Sequence, residues 1–221
     1  MLRTFILLTL VAAAACTSGP PPPDDGALVS DVMAFRAARE AALRDDPEAI
    51  PPDKRSLLLP LRYYPPDPRY SVPAALTLSD ERPIPIVEVP TSTGTIRQMQ
   101  LVGRLDFRLD GQPMSLGALA PAGEPVRSLF VPFTDLTSGT ETYKAGRYLD
   151  LHPTSTGVYT IDFNRAYNPT CAYNAAYECP YPPPSNRLKV AILAGEKVPP
   201  ASADVPADTP SSADAAAGTG E

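Results

Sequence analysis

The first periodic pattern in the chain predicts an amphipathic helix over residues 28–46. Apolar residues recur at helical spacing on one face, namely Leu28, Val32, Phe35, Ala38, Ala42 and Leu43. Arg36, Glu40 and Arg44 lie four residues apart on another face, which favours charge pairs along the helix. Pro47 predicts the end of the helix. Because its charges are mixed and its apolar face is rich in alanine, we expect this helix to pack on the domain that follows.

Short runs of branched and aromatic residues then predict strands. They lie at 74–78, 84–89, 95–102, 126–133, 146–151, 157–164 and 188–193, separated by Pro, Gly and Ser. The clearest hairpin has Leu105, Phe107 and Leu109 alternating with charged residues, and Asp110-Gly111 supplies its turn. The spacing predicts a mainly β fold, a single antiparallel β-sandwich or barrel-like domain with an N-terminal helix.

The two ends of the chain differ in composition from the body. Residues 1–15 are typical of an export signal, because one positive charge at Arg3 precedes an apolar run, 5–15, that is too short to span a membrane. The sequence AAAC resembles a bacterial lipobox, so we predict lipidation of Cys16 and a Pro-rich tether over 16–27. A plain secretory signal with an incidental cysteine is the alternative. Residues 198–221 have no aromatic residue and no Lys or Arg, which predicts a disordered acidic tail.

Charge excludes nucleic acid as an expected partner. The chain has 19 basic and 25 acidic residues, but six of the acids lie in the two terminal segments. The domain expected at 28–197 is therefore almost neutral and shows no basic footprint. The lipid anchor predicts the membrane as a partner. It also predicts a location in the cell envelope, facing the periplasm or the exterior.

Familiar catalytic motifs are missing from the sequence. There is no G-x-S-x-G elbow, no phosphate-binding P-loop and no dinucleotide fingerprint, so we predict no cofactor. The single histidine, His152, is expected to face solvent or bond locally. Leu136 interrupts a likeness to the aspartic-protease turn, and residues 137–139 are instead expected to form a turn closed by local hydrogen bonds.

Cys171 and Cys179 are predicted to form a disulfide, because export leads to an oxidising compartment. A zinc site would need about four ligands at closer spacing, so no metal is predicted. Two buried free thiols remain the alternative.

Polar and aromatic residues concentrate in the same part of the chain and predict a binding site. Seven of the ten tyrosines fall between residues 143 and 181. The candidate ligand-binding residues are Glu141, Tyr143, Arg147, Asp162, Asn164, Tyr167 and Asn168. Arg147 is suited to binding a carboxylate or phosphate through two hydrogen bonds. Alternatively, it pairs with Asp162 or Glu141 to satisfy a polar core.

The segments FVPFTDLTSGTETYKAGRYLDL and IDFNRAYNPTCAYNAAYECPYPPPSNRLKVAILAGEK closely resemble a family of bacteria and archaea called domain of unknown function 1684 (DUF1684). The N-terminal helix and the YYPPDPRY segment fit its earlier part, so the resemblance covers roughly residues 29–197. The family name implies no activity, cofactor or catalytic residue. It implies motif positions that are mostly polar or turn residues: Thr137, Ser138, Gly139, Glu141, Tyr143, Gly146, Arg147, Asp162, Asn164, Tyr167, Asn168, Cys171, Cys179, Asn186 and Glu196.

These observations predict a membrane-anchored lipoprotein that binds a small polar or carbohydrate-like ligand, with tyrosines as stacking faces. One alternative is a hydrolase in which Glu141 or Asp162 acts as general base. Another is a purely structural envelope protein, in which the motif residues are buried and paired with one another.

Overall fold

The computed structural model describes residues 25–152 and 154–200. The predicted signal peptide, Cys16, most of the tether and nearly all of the acidic tail lie outside the described residues. Within the described ranges, no helix is both long enough and apolar enough to cross a membrane.

Helix α1 spans Asp25–Asp45 and ends before Pro47, as the sequence predicts. Its start lies three residues inside the segment assigned to the tether. The buried face is also rotated relative to the prediction. Val32, Arg36 and Leu43 are buried, whereas Ala38 and Ala42 are exposed. The cause is Arg36, which lies inward because its guanidinium donates to the backbone carbonyls of Tyr64 and Asn164 at 2.9 and 3.1 Å.

Seven strands form one antiparallel sheet that curls into a half-barrel. The strands are β1 Ser71–Leu78, β2 Ile86–Pro90, β3 Ile96–Leu109, β4 Gln112–Pro121, β5 Leu129–Phe133, β6 Arg147–Leu151 and β7 Val158–Asp162. Their order is β6-β5-β4-β3-β1-β7, and β2 pairs with the first part of β3. A short helix α2, Arg55–Leu58, and several 3₁₀ turns complete the described elements. The predicted fold, mainly β with an N-terminal helix, is confirmed.

The β3–β4 hairpin shows how local sequence sets the register. Leu105, Phe107 and Leu109 are buried on the concave face. Asp110 and Gly111 both have positive φ, 49° and 76°, as a two-residue turn with the right twist requires. The predicted turn is therefore confirmed.

The strand predicted at 188–193 is wrong. This segment is irregular, because its backbone binds the loop after β5 instead of a sheet neighbour. The Leu188 N–H donates to the Thr134 carbonyl at 2.8 Å, and the Leu136 N–H donates to the Val190 carbonyl at 3.1 Å. Its apolar residues still contribute to the core, since Ile192 is fully buried.

Strands β6 and β7 follow each other in the chain but end up at opposite ends of the sheet path. Among the described strand pairings, none joins them. The curl of the sheet brings them near each other without closing the barrel. Helix α1 lies beside this opening and contacts the turn Phe163–Arg165 that follows β7. The opening is where the candidate site lies.

Candidate functional site

A cleft of about 1360 Å³ lies between the first turns of α1 and the strands β6 and β7. Its polar lining includes Asp31, Asp150, His152, Thr160, Asp162 and Tyr167. Of the seven residues predicted to bind a ligand, the cleft therefore contains two, Asp162 and Tyr167.

Tyr167 and Asp150 form the polar wall on the β6 side. The Tyr167 hydroxyl donates to Oδ2 of Asp150 at 2.5 Å. Burial raises the pKa of Tyr167, and the Asp150 charge raises it further, so the hydroxyl stays protonated and acts as the donor. The Arg39 guanidinium stacks over the Tyr167 ring, 4.5 Å from its centroid. The ring is held in one orientation, which is a favourable property for a binding surface.

Arg165 links α1 to β7 at the edge of the cleft. Its guanidinium pairs with Asp31 of α1, and its Nε lies 3.4 Å from Oδ2 of Asp162. The Asp162 Oδ1 atom accepts from the backbone and the side-chain amide of Asn164 at 3.0 and 2.9 Å. Asp162 is thus fixed in place and has one oxygen turned towards Arg165.

Arg147 does not lie in the cleft, contrary to the prediction. Its side chain is 0% exposed and pairs with Asp135, with 2.9 Å between Nη2 and Oδ2. Asp162 and Glu141, the partners expected from sequence, are not its partners. The guanidinium also donates to the Ala194 carbonyl and, at 3.0 Å, to the Ile192 carbonyl. Arg147 therefore holds the C-terminal segment against the sheet.

The turn at residues 137–139, which lies before Arg147 in the chain, helps to hold the Asp135 carboxylate that pairs with Arg147. Asp135 Oδ1 accepts from the Thr137 backbone and hydroxyl at 2.8 and 2.6 Å, so the predicted local closure of the turn at 137–139 is confirmed. Gly146 has a φ of 92°, and a Cβ there would lie 2.5 Å from the Phe133 carbonyl oxygen. A side chain at this position would clash with the backbone, which explains the glycine on physical grounds.

The same buried network extends to Asn168 through Glu196, whose backbone carbonyl lies 3.4 Å from Nη1 of Arg147. The Asn168 amide donates to Oε1 of Glu196 at 3.0 Å and to the Lys197 carbonyl at 2.8 Å. Arg39 Nε donates to the Glu196 Oε2 atom at 2.9 Å. Burial raises the pKa of Glu196, while Arg39 and Asn168 oppose that shift. Asn168 is fully buried and joins the C-terminal segment to α1.

The other predicted site residues also lie outside the cleft. Asn164 is fully buried and bonds through its amide to both backbone groups of Asp67, at 2.9 Å each. Tyr143 is buried in the cluster that packs beneath the end of α1. Glu141 lies at the surface, where its Oε2 is 3.6 Å from the Lys197 ammonium. The seven residues do not converge on one concavity.

Cys171 and Cys179 are buried and not linked by a disulfide in this structure. The Cys171 N–H donates to the Cys179 sulfur at 3.1 Å, and the Tyr143 hydroxyl lies 3.9 Å from the Cys171 sulfur. The contact with the Cys179 thiol lowers the pKa of Cys171 to about 7, and the same contact raises the pKa of Cys179. The thiols are neighbours, and the disulfide stays a prediction.

Sequence reasoning missed several residues of the cleft, chiefly Asp31, Asp150 and Thr160. The sequence did contain one indication, because Asp150 is a charged residue flanked by two leucines, Leu149 and Leu151, in β6. Their meeting depends on the curl of the sheet, which the sequence pattern does not specify. Within residues 25–152 and 154–200, no group of three or more His, Cys, Asp or Glu side chains could hold a metal ion.

Comparisons with known proteins agree with the fold. Residues 59–197 match the family described as "Protein of unknown function (DUF1684)". The match does not include α1, which the sequence resemblance had included. The chain is also similar to an uncharacterised protein of Haloarcula marismortui solved by NMR in solution. That similarity has 38% identity and a TM-score of 0.62, and it covers 76% of this chain and 92% of the other. No curated protein matches. The chain belongs to the DUF1684 family.

Proposed function

We propose that the protein binds a small polar or carbohydrate-like ligand in the cleft between α1, β6 and β7. The observation that carries this proposal is the cleft itself, which has carboxylates, hydroxyls and a fixed tyrosine ring around one open concavity. Binding sites in proteins commonly combine a concave shape with a few well-placed polar groups. Asp150, Asp162 and Tyr167 supply those groups here.

The geometry favours binding over the two alternatives. A hydrolase using Glu141 would place its base at the surface beside Lys197, outside the cleft. Asp162 already accepts two hydrogen bonds from Asn164 and faces Arg165, so its carboxylate is engaged in holding the local structure. A structural role does fit Arg147, Asn164 and Asn168, whose side chains are buried and bonded.

The test is a thermal-shift screen of the full chain against sugars, oligosaccharides, amino acids and short peptides. Asp150→Asn and Tyr167→Phe should remove the shift caused by any hit, while Asp106→Asn, on the exposed β3–β4 hairpin, should preserve it. A hit that the cleft variants bind as well as the wild type would contradict the proposal. So would a complete panel without a hit.

We further propose that the protein is a lipoprotein of the cell envelope, anchored through Cys16. The support is the AAAC sequence followed by a proline-rich segment. Cys16→Ser should move the expressed protein from the detergent phase to the aqueous phase. A wild-type protein that is already in the aqueous phase and starts at another residue would refute the anchor.

A further inference from the structure

The free edge of β7 faces the cleft with its backbone groups. The Leu76 N–H donates to the Gly157 carbonyl at 3.0 Å, which sets the alternation of hydrogen bonds between β1 and β7. In an antiparallel pair, every second residue turns its N–H and C=O away from the partner. By this alternation Val158, Thr160 and Asp162 point theirs away from β1. The Val158 carbonyl accepts from the Thr154 hydroxyl at 2.9 Å and its N–H donates to the Thr156 hydroxyl at 3.3 Å. The open part of the edge therefore lies at Thr160 and Asp162. Both residues line the cleft.

Strand β6, on the other side of the cleft, also turns every second pair of backbone groups away from its sheet neighbour. Tyr148 exchanges backbone hydrogen bonds with Tyr167 at 2.8 and 3.0 Å, so its N–H and C=O point away from β5. The same alternation directs the backbone groups of Asp150 into the cleft. The chain at Tyr167 thus covers the first part of the β6 edge. Along β7, no strand pairs with the outer edge in the part of the chain that the structure describes.

The lining of the cleft is acidic. Asp31, Asp150 and Asp162 contribute three carboxylates. Arg165 is engaged with two of them, Asp31 and Asp162. Asp150 accepts a hydrogen bond from the Tyr167 hydroxyl, which is neutral, and its charge is not balanced by any ion pair in the described ranges. A ligand with positive charge would complement this wall.

We infer that the ligand of this cleft is a short extended peptide with basic side chains, whose backbone pairs with the free edge of β7. This inference rests on the proposed function and names the chemistry of the ligand. Addition of a strand to an open sheet edge is a recurring mode of peptide recognition. The N–H and C=O groups of Thr160 would exchange hydrogen bonds with one peptide residue, and a basic side chain would reach Asp150.

The dimensions favour a peptide over a single sugar. The cleft, at about 1360 Å³, exceeds the roughly 300–1,000 Å³ of typical small-molecule pockets. Outward backbone groups on one strand repeat every two residues, or about 6.6 Å. An extended peptide repeats its own donors and acceptors at the same interval, so two of its residues can meet Thr160 and Asp162 in turn.

The experiment uses calorimetric titration of the full chain with three matched probes. The first is an acetylated and amidated pentapeptide of alternating Lys and Val. The second carries an N-methyl group on its central residue, which removes one backbone donor. The third replaces each Lys with Glu. We expect binding of the first peptide, a loss of about tenfold on N-methylation, and no binding of the acidic peptide.

Two protein variants test the edge from the other side. Thr160→Pro removes the outward N–H without touching the hydrogen bonds to β1, and proline is tolerated on edge strands. It should weaken binding of the Lys peptide about tenfold relative to Thr160→Val, which makes the same loss of the hydroxyl but keeps the N–H. If Thr160→Pro does not fold, binding of the N-methylated peptide to the wild-type protein tests the strand pairing instead.

The outcomes separate this inference from the proposed function. Equal binding of the Lys peptide and its N-methylated form would overturn the strand pairing. Equal binding of the Lys and Glu peptides would overturn the basic specificity. If an oligosaccharide from the screen binds the cleft while no peptide does, the cleft remains a binding site and the inference fails. If nothing binds, both fail.

Discussion

The buried polar network around Arg147 and the open cleft beside β7 contain the same kinds of side chains but differ in what those side chains do. In the network, Arg147, Asp135, Asn168 and Glu196 are each at most 7% exposed, and their hydrogen bonds join distant parts of the chain. In the cleft, Asp150 and Thr160 are exposed and border a space large enough for a ligand. Family-like polar residues are therefore mostly architectural here, and the candidate binding surface is built largely from others.

The difference has an energetic reason. The C-terminal segment 188–197 has no strand partner of its own in the described sheet, so its carbonyls need donors from elsewhere. Arg147 supplies donors to three of these carbonyls, and Asn168 supplies one to Lys197. Substitutions in the buried network should therefore lower the free energy of unfolding, whereas substitutions in the cleft should mainly weaken ligand binding.

The largest effect is expected from Asp135→Asn. The substitution leaves the fully buried Arg147 guanidinium without its carboxylate, and breaking a buried pair on one side costs about 3–5 kcal/mol. Chemical denaturation measures this loss in the free energy of unfolding. Asp106→Asn is the matched control, because it breaks an exposed pair with Arg104, and it should unfold like the wild type. Equal behaviour of the two variants would contradict the architectural role of Arg147.

The next effect concerns the thiols. Oxidation to a Cys171–Cys179 disulfide should stabilise the protein by about 2.5 kcal/mol in the chain-entropy model. Denaturation with and without reductant measures this difference, and a variant with both cysteines changed to alanine should show none. Intact mass after alkylation under denaturing conditions gives the redox state. Two alkylated thiols before reduction would leave the free-thiol alternative.

A smaller effect should appear in the pH dependence of stability. Burial raises the folded-state pKa of Glu196 above its ordinary value of 4.5. The folded state then holds the proton more tightly than the unfolded state. The resulting stability is therefore present below the ordinary pKa and is lost as pH rises through the raised pKa. Glu196→Gln should flatten this decrease, measured by denaturation at a series of pH values. An unchanged slope would show that Arg39 and Asn168 cancel the effect of burial.

The smallest effect on stability is expected in the cleft. Tyr167→Phe removes one hydrogen bond to Asp150 and should cost about 1 kcal/mol or less, yet it should abolish the shift produced by a hit from the screen. Thermal unfolding with and without that hit measures both quantities. If this variant lost several kcal/mol of unfolding free energy, Tyr167 would have a structural role instead of a binding role.

Local patterns predicted much of the fold. The alternation of Leu105, Phe107 and Leu109 and the Asp110-Gly111 turn depend on neighbours in sequence, and both were found. The segment 188–193 has the composition of a strand, but its hydrogen-bond partners were decided by Thr134 and Asp135, more than fifty residues earlier. Propensity carries no information about such distant partners.

The candidate site was predicted only in part for the same reason. Asp162 reaches the cleft as the last residue of β7, and Tyr167 lies five residues further on, after the turn Phe163–Arg165. Arg147 was expected beside Asp162, but the curl of the sheet turns it inward towards Asp135. Asp150 and Thr160 line the same cleft because β6 and β7 do not pair in the described sheet. That feature depends on tertiary packing and not on any motif.

If the cleft is the binding site, ligands should contact its residues and leave the buried network around Arg147 unchanged. Amide chemical-shift mapping of the full chain, titrated with a hit from the screen or with the Lys-containing peptide, tests this most directly. The largest shifts are expected at the cleft residues Asp31, Asp150, Thr160, Asp162 and Tyr167. No comparable shifts are expected at the buried residues Asp135, Arg147, Asn168 and Glu196. Shifts concentrated in that second group, or at Glu141 and Tyr143, would contradict binding in the cleft.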